Sequence, residues 1–206
     1  KWVIVNSSKS AFLAALKETT CEVVAIALKN SYKNPEHEKI IKEHIQKTLG
    51  FHVTSSAELF PAIKYLTRTE TAVVNAYLSP ILEGYLQNIS SKITAARIRI
   101  MTSSGSLSKL ASFNAKDSLL SGPAGGIVGA AHAASAAGFK QVLTIDMGGT
   151  STDVSRYANG YDYVSELEVG EAHLFTQALA IETVAAGGGS ICHLHEGQLQ
   201  VGPDSA

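Results

Sequence analysis

Along the 206 residues, short β-branched runs trade places with stretches whose apolar positions recur near every 3.6 residues, a pattern that predicts strands alternating with helices. A first strand is expected over 22–28 (Glu-Val-Val-Ala-Ile-Ala-Leu), after a short helix over 9–18 that Ser7 or Ser8 would cap. Asn34 and Pro35 supply an N-cap and a first-turn proline for a helix reaching about Leu49, and Gly50 is placed to close it. Ile40, Ile41, His44, Ile45 and Leu49 form its stripe, on which His44 reads as a packed or surface residue. A second strand covers 51–55. From about residue 69 to 93 a long helical pattern follows, with Pro80 as a kink or break. Ala72, Val73, Ala76, Tyr77, Leu82, Tyr85, Leu86 and Ile89 are expected to face a core, and Asn75 among them needs partners, with neighbouring backbone the expected source.

A third strand over 97–101 runs into Thr102-Ser-Ser-Gly-Ser106, which reads equally as a ligand loop at a strand's C-terminal end or as a solvated turn. Leu120-Ser-Gly-Pro-Ala-Gly-Gly126 leads into a helix of small residues over 127–137, with Ser121 or Gly122 as cap, Pro123 at the first helical position and Gly138 as its close. Gly125 and Gly126 each cost a helix roughly 1 kcal/mol relative to alanine. Close packing on a neighbouring backbone is the favoured reason for them, an anion at the helix N-terminus the other. Val142-Leu-Thr-Ile145 has the character of a buried strand, and strands over 152–157 and 161–169, turned at Ala158-Asn159-Gly160, are expected to join it in a three-stranded meander. A strand over 180–184, a Gly187-Gly188-Gly189-Ser190 loop carrying backbone donors, and a hairpin around Glu196-Gly197 complete the pattern. The alternation through the first half favours an α/β layout with a mainly parallel sheet.

Composition narrows the function classes. With 45% hydrophobic residues and a formal charge of -1, the chain can bury a core as one large domain or two small lobes, and nothing in its charge calls for nucleic acid or an anionic membrane as partner. No apolar run approaches the roughly 20 residues that span a bilayer, and Lys1-Trp-Val-Ile-Val lacks signal-peptide character, so a cytoplasmic location is the default expectation. Cys21 and Cys192 stand far apart and read as reduced, structural thiols. His193 and His195 would share one face of a strand, but without a third ligand nearby a solvent-facing hairpin is the favoured reading.

The chemistry concentrates in Thr144-Ile-Asp-Met-Gly-Gly-Thr-Ser-Thr-Asp-Val-Ser155. Asp146 would emerge at or near a strand's end. Gly148 and Gly149 let the backbone turn and approach a ligand, Thr150, Ser151 and Thr152 add hydroxyls, and Asp153 returns a second carboxylate. Together these groups suit a phosphate oxygen and a hard divalent cation, with Asp146 and Asp153 as candidates to hold Mg²⁺ and orient a nucleophile.

This segment resembles the phosphate-binding hairpin of the actin-like ATPase superfamily, and the full string resembles the hydantoinase A/5-oxoprolinase family, which includes acetone carboxylase-type subunits. Arg68-Thr-Glu-Thr-Ala-Val-Val-Asn-Ala-Tyr-Leu, Leu120-Ser-Gly-Pro-Ala-Gly-Gly-Ile-Val-Gly-Ala, Ala186-Gly-Gly-Gly-Ser-Ile and Val201-Gly-Pro-Asp-Ser-Ala support the match in the family's order. The resemblance implies a ribonuclease H-like α/β fold, a mixed sheet flanked by helices. An α/β portion over 1–120 would end in the long helix and third strand, and 121–206 would carry the phosphate hairpin, together one domain cut from a longer chain. It implies ATP and Mg²⁺ as cofactors, Asp146 and Asp153 as catalytic and metal-holding residues, and Gly148, Gly149, Thr150, Ser151, Thr152, Gly187, Gly188 and Gly189 as cofactor-binding. The implied activity is ATP-dependent opening of a cyclic amide or imide such as 5-oxoproline or a hydantoin. An ATP-dependent ketone carboxylase subunit, a non-catalytic actin-like nucleotide-binding module and a sugar-kinase-like phosphotransferase are the alternatives, though the last does not fit 121–130 or the Asn75 stretch. Expected partners are the remainder of the same polypeptide, holding a second phosphate hairpin and the adenosine-contacting segment, and a hydantoinase B-type subunit or domain. On that expectation 1–206 alone would bind ATP weakly or not at all and would not turn over.

Overall fold

A computed structural model describes residues 14–20, 23–93 and 97–206. The proposed caps Ser7 and Ser8 and the thiol of Cys21 lie outside these residues. The chain groups into two compact units. The first takes residues up to 96 with 114–116 and 168–175, and the second takes 97–113, 117–167 and 176–206.

In the first unit β1 (Val23–Ile26) pairs in parallel with β2 (His52–Ser55), Val23 opposite His52 and Ile26 opposite Ser55. Helix α1 (Glu36–Leu49) connects them, as a parallel pair requires. Its start follows the Asn-Pro signal: Asn34 Oδ1 accepts the Glu36 N–H at 3.1 Å, and Gly50, in the left-handed region at φ 71°, closes the far end by donating to Gln46 O. Leu16, Ile26, Ile45 and Val53 form a buried cluster with Ile41 and Leu49 packed on it. Ile40 is exposed, contrary to the expected stripe, because Ile41, Ile45 and Leu49 already occupy the inward arc.

A short helix α2 (Ser56–Leu59) precedes α3 (Tyr65–Lys92), a single helical element that passes through Pro80 without a break. Its buried positions are Arg68, Thr71, Ala72, Asn75, Ala76 and Ser79, a stripe of three-and-four spacing. Tyr77 and Tyr85 fall off that stripe and are 70% and 62% exposed, so neither is a core residue here. Asn75 is satisfied as a buried amide should be, donating to Thr54 Oγ1 and Ser79 Oγ at 3.3 Å each and accepting the Lys116 N–H at 3.1 Å.

Glu38 and Arg68, both without exposure, form a buried ion pair that sequence periodicity does not signal. Glu38 accepts from the Leu28 and Ala57 amides at 2.7 and 2.9 Å and from the Ser55 and Ser56 hydroxyls at 2.8 Å, while Arg68 donates to Leu28 O and to the hydroxyls of Ser31 and Ser56. Burial opposes the charged carboxylate, but the hydrogen bonds from Ser31, Ala57, Leu28 and Ser55 outweigh it and hold the Glu38 pKa below its ordinary value.

In the second unit β3 (Arg99–Met101) and β4 (Leu107–Lys109) make an antiparallel hairpin, so Thr102–Ser106 is its turn, with Gly105 at φ 73°. Thr102 and Ser103 are buried, and Ser103 bonds to Asp117 O through both its amide and its hydroxyl. Helix α4 (Ser121–Ala136) begins within the Ser-Gly-Pro-Ala-Gly-Gly stretch, earlier than expected, with Leu120 as the preceding residue and no side-chain cap. Gly138, at φ 86°, follows it.

β5 (Gln141–Met147), β6 (Thr152–Ala158) and β9 (Ile181–Val184) form an antiparallel sheet in the order β5-β6-β9. This corrects the expected meander. Asn159, at φ 56°, does turn the chain after β6, but pairing stops at one bridge between Tyr157 and Tyr161. β9 occupies the outer edge of β6 from Thr152 to Ser155, and β7 (Tyr163–Val169) pairs instead with β8 (Ala172–Leu179). β10 (Ser190–His195) and β11 (Gln198–Ser205) form the expected final hairpin, turning at Glu196 and Gly197 with φ 48° and 79°. β1–β2 runs parallel whereas β3–β4, β5–β6, β6–β9 and β10–β11 run antiparallel, so the strand pairing is mixed rather than mainly parallel.

Replacing Glu38 by Gln leaves Arg68 buried without its countercharge and should cost about 3 kcal/mol in urea unfolding. Because its folded-state pKa is depressed, the wild-type carboxylate's contribution is complete above 4.5 and falls away as pH drops through the lower folded value, so the acid-induced loss of stability should shrink in Glu38→Gln.

Candidate functional site

Antiparallel pairing of β5 with β6 runs in register from Gln141 opposite Ala158 to Met147 opposite Thr152. That register leaves Gly148, Gly149, Thr150 and Ser151 as the connection and sets Asp146 directly across from Asp153, on one face of the sheet. Thr144 and Ser155, the next pair on that face, are linked hydroxyl to hydroxyl at 2.6 Å. The third strand adds Thr183 opposite Asp153, and its hydroxyl donates to Asp153 Oδ1 at 2.6 Å.

A cleft of about 170 Å³ lies over this face, lined by Asp146 and Asp153 together with Gly126, Ile127 and Ala130 of α4 and Ile181 of β9. Both acids therefore reach a cavity, with α4 as its opposite wall. The other face of β5 carries Leu143, Ile145 and Met147, all exposed, so this strand is not the buried one its apolar run suggests. Helix α4 covers one face, and on the other the β5 side chains Leu143, Ile145 and Met147 lie open.

The turn is closed by Gly148 N–H donating to Ser151 O at 2.9 Å. Gly148, Gly149 and Thr150 are exposed and Ser151 half-buried. Among the described residues the N–H groups of Gly149, Thr150 and Ser151 have no protein acceptor. Thr152 differs from its neighbours: it is buried, and its hydroxyl donates to Ala186 O at 2.6 Å.

The triple glycine arrives beside this turn, with its donors already engaged. Gly187 N–H bonds Ser190 Oγ at 2.8 Å, Gly188 N–H bonds Gly148 O at 2.9 Å, and Gly189 N–H bonds Gly149 O at 2.7 Å. The Gly188 and Gly189 amides therefore face the turn, while that of Gly187 closes its own loop. Thr183 is the residue that sequence reasoning missed; alternation along β9 from Ile181 would have placed it on the acids' face.

The glycines of α4 have room around them. A Cβ built on Gly126 would come no closer than 3.8 Å, to Asp146 Oδ2, one on Gly125 would meet only Met101 at 3.9 Å, and Gly122 and Gly129 face open space. Close backbone packing, the favoured reason for these glycines, is absent here. His193 and His195 sit exposed across from Gln200 and Gln198, and no group of three or more His, Cys, Asp or Glu is positioned for a metal among the described residues. Two carboxylates on adjacent strands, both facing a cleft, still fit a hard divalent cation that keeps several waters in its shell.

The sequence model of the hydantoinase/oxoprolinase family matches residues 68–206, a span that contains most of α3, α4, the acids and both glycine segments. The chain belongs to the hydantoinase/oxoprolinase family. It is 41% identical over 198 residues to 5-oxoprolinase PfmaA of Pestalotiopsis fici, a match covering 94% of this chain and 15% of that protein. Among solved structures, the ATP-dependent caprolactamase of Pseudomonas jessenii superposes with a TM-score of 0.80 at 31% identity, over 100% of this chain and 32% of the other. Nucleotide-free acetone carboxylase superposes with a TM-score of 0.77 at 28% identity, over 94% and 29%. This hydantoinase/oxoprolinase chain thus spans between about a seventh and a third of the proteins it matches. Among its described residues no helix is long and apolar enough to cross a membrane.

Because a methyl at Gly126 would make only an ordinary contact, 3.8 Å to Asp146 Oδ2, Gly126→Ala should stabilise α4 by about 0.5–1 kcal/mol through helix propensity. Thermal unfolding checks this. A drop in the midpoint would mean that α4 packs more tightly at Gly126 than the structure has it.

Proposed function

We propose that this chain is the part of an ATP-dependent cyclic amide hydrolase that holds one end of the nucleotide's phosphate chain. What carries the reading is the pairing of Asp146 with Asp153 on the face that lines the cleft, beside a turn whose Gly149, Thr150 and Ser151 amides lack protein acceptors. Successive main-chain N–H groups suit phosphate oxygens, and two carboxylates suit the accompanying Mg²⁺. Asp146 and Asp153 would hold the cation directly or through its waters. Thr183, bonded to Asp153 Oδ1, fixes that carboxylate's rotamer and leaves Oδ2 for the metal or its water.

Bound Mg²⁺–ATP would supply a phosphoryl group that turns the carbonyl oxygen of an unreactive ring into a leaving group. The protein's share is to align that phosphate and neutralise its charge, which is most of what phosphoryl transfer demands. Identity of about 40% to 5-oxoprolinases supports a small cyclic amide or imide as substrate. Caprolactamase, named as ATP-dependent and likewise a ring-opening enzyme by name, supports the same class. The finer fold reading belongs here too: a ribonuclease H-like module of actin-like type whose partner lobe, with a second phosphate hairpin and the adenosine contacts, comes from the remainder of a longer polypeptide. A hydantoinase B-type subunit or domain fits as a further partner, since caprolactamase's matching chain is named subunit alpha. A cytoplasmic setting, with its magnesium and nucleotide, completes the reading. The likeness to acetone carboxylase favours a second reading, ATP-driven ketone carboxylation, which the higher identity to 5-oxoprolinases outweighs.

In the full-length polypeptide, 5-oxoproline or a hydantoin should stimulate ATP hydrolysis, and Asp146→Asn should lower the stimulated rate at least about 100-fold, the scale seen when a charge-stabilising group is removed from a transition state. Stimulation by acetone with bicarbonate instead would move the assignment to the second reading. Unchanged turnover in the variant would remove Asp146 from the mechanism.

A further inference from the structure

The triple-glycine loop and the phosphate turn are joined by two backbone hydrogen bonds and one side-chain hydroxyl. Gly188 and Gly189 donate to the carbonyls of Gly148 and Gly149, and Thr152, at the turn's exit, donates its hydroxyl to Ala186 O at the loop's entrance. The contact is tightest at Gly187, and a Cβ on Gly189 would also come within 3.0 Å of Gly149 O. A Cβ on Gly187 would stand 2.6 Å from Gly148 O and 2.7 Å from both Gly149 C and Gly149 O, whereas one on Gly188 would find its nearest neighbour, Gly148 O, at 3.8 Å. Neither residue has a positive φ, so space alone demands glycine at 187.

In a planar trans peptide the carbonyl and the N–H point in opposite directions. The Gly148 carbonyl shares its peptide with the Gly149 N–H, and the Gly149 carbonyl shares its peptide with the Thr150 N–H. Holding both carbonyls against the loop therefore turns both N–H groups to the other side of the turn, where neither has a protein acceptor. Unbraced, a Gly-Gly segment samples many orientations of these two planes.

We propose that residues 186–189 are a positioning brace: they lock the Gly148–Gly149 and Gly149–Thr150 peptides so that two adjacent N–H groups are preset for an oxyanion, and they do not themselves touch the nucleotide. This rests on the phosphate-binding reading of the turn. It reassigns Gly187, Gly188, Gly189 and the Thr152 hydroxyl from ligand contacts to support.

The test uses the full-length polypeptide with Gly187→Ala, Gly188→Ala and Thr152→Val. Two readouts separate the brace from the reading beneath it: hydrogen exchange of the 186–190 segment without nucleotide, and Mg²⁺–ATP affinity by calorimetry. Gly187→Ala should speed exchange and weaken ATP binding, each by about tenfold, with Gly188→Ala within about twofold of wild type on both, as expected when one variant breaks two hydrogen bonds and the other breaks none. Thr152→Val, which keeps the backbone and removes one hydrogen bond, should weaken ATP binding about threefold and decides the matter if Gly187→Ala does not fold. ATP affinity unchanged in Thr152→Val and in a folded Gly187→Ala overturns the brace, as does exchange in Gly187→Ala that matches Gly188→Ala. Wild-type protein that binds no ATP overturns the phosphate reading instead, and faster exchange in Gly187→Ala then establishes the lock without its ligand.

Discussion

Two backbone hydrogen bonds, from Gly188 to Gly148 O and from Gly189 to Gly149 O, tie the loop after β9 to the turn between β5 and β6. Much of the second unit's arrangement converges on that contact. β9 can deliver the loop there because it pairs with β6 over Thr152–Ser155, next to the turn. The same pairing sets Thr183 against Asp153, so one strand both supports the turn and orients an acid. Glycine is needed where two backbones approach within a methyl's radius, a condition met at Gly187 and also at Gly202, whose Cβ would lie 2.5 Å from Ala185 O.

The electrostatics follow a division of labour. In the proposed site main-chain amides would present partial positive charge to an anion with no side chain to neutralise or reorient, and the paired acids, which face the cleft, would meet a cation's charge. A chain with a formal charge of -1 has little long-range field to draw in a nucleotide, so selectivity falls to this local geometry. Charge is used quite differently in the first unit. There Glu38 and Arg68 are sealed from solvent and bonded to each other and to Ser55, Ser56, Leu28 and Ala57, with Arg68 Nε left without a partner among the described residues.

Local signals read true where a single residue type dictates backbone geometry. Asn34-Pro35 and Gly50 bracket α1, Asn159-Gly160 and Glu196-Gly197 make their turns, and Gly148-Gly149 turn the chain between β5 and β6. Pairing was less legible, because strand order depends on which edge is free and not on the apolar pattern of either strand. That is why β9 displaced β7 beside β6. Apolar runs also overstated burial: Leu143, Ile145 and Met147 share a strand with the acids yet lie on the uncovered face, and Tyr77 and Tyr85 sit off the stripe that starts at Arg68. Glu38 gave no sign at all, since a glutamate in the first turn of an amphipathic helix ordinarily stays in water. The glycine triplet reads from sequence as a row of donors for a ligand, whereas in the structure its amides bond within the protein and Gly187 stands where no Cβ fits.

The central claim is spatial: phosphate oxygens on the Gly149 and Thr150 amides, with magnesium between the turn and the Asp146–Asp153 pair. A crystal structure of the full-length polypeptide with Mg²⁺ and a non-hydrolysable ATP analogue tests it most directly. The account predicts phosphate oxygens within hydrogen-bond distance of both amides and the cation on one or both acids, directly or through water, while Gly188 and Gly189 keep their bonds to the turn. Nucleotide phosphates bound elsewhere, with both amides facing only solvent, would contradict it.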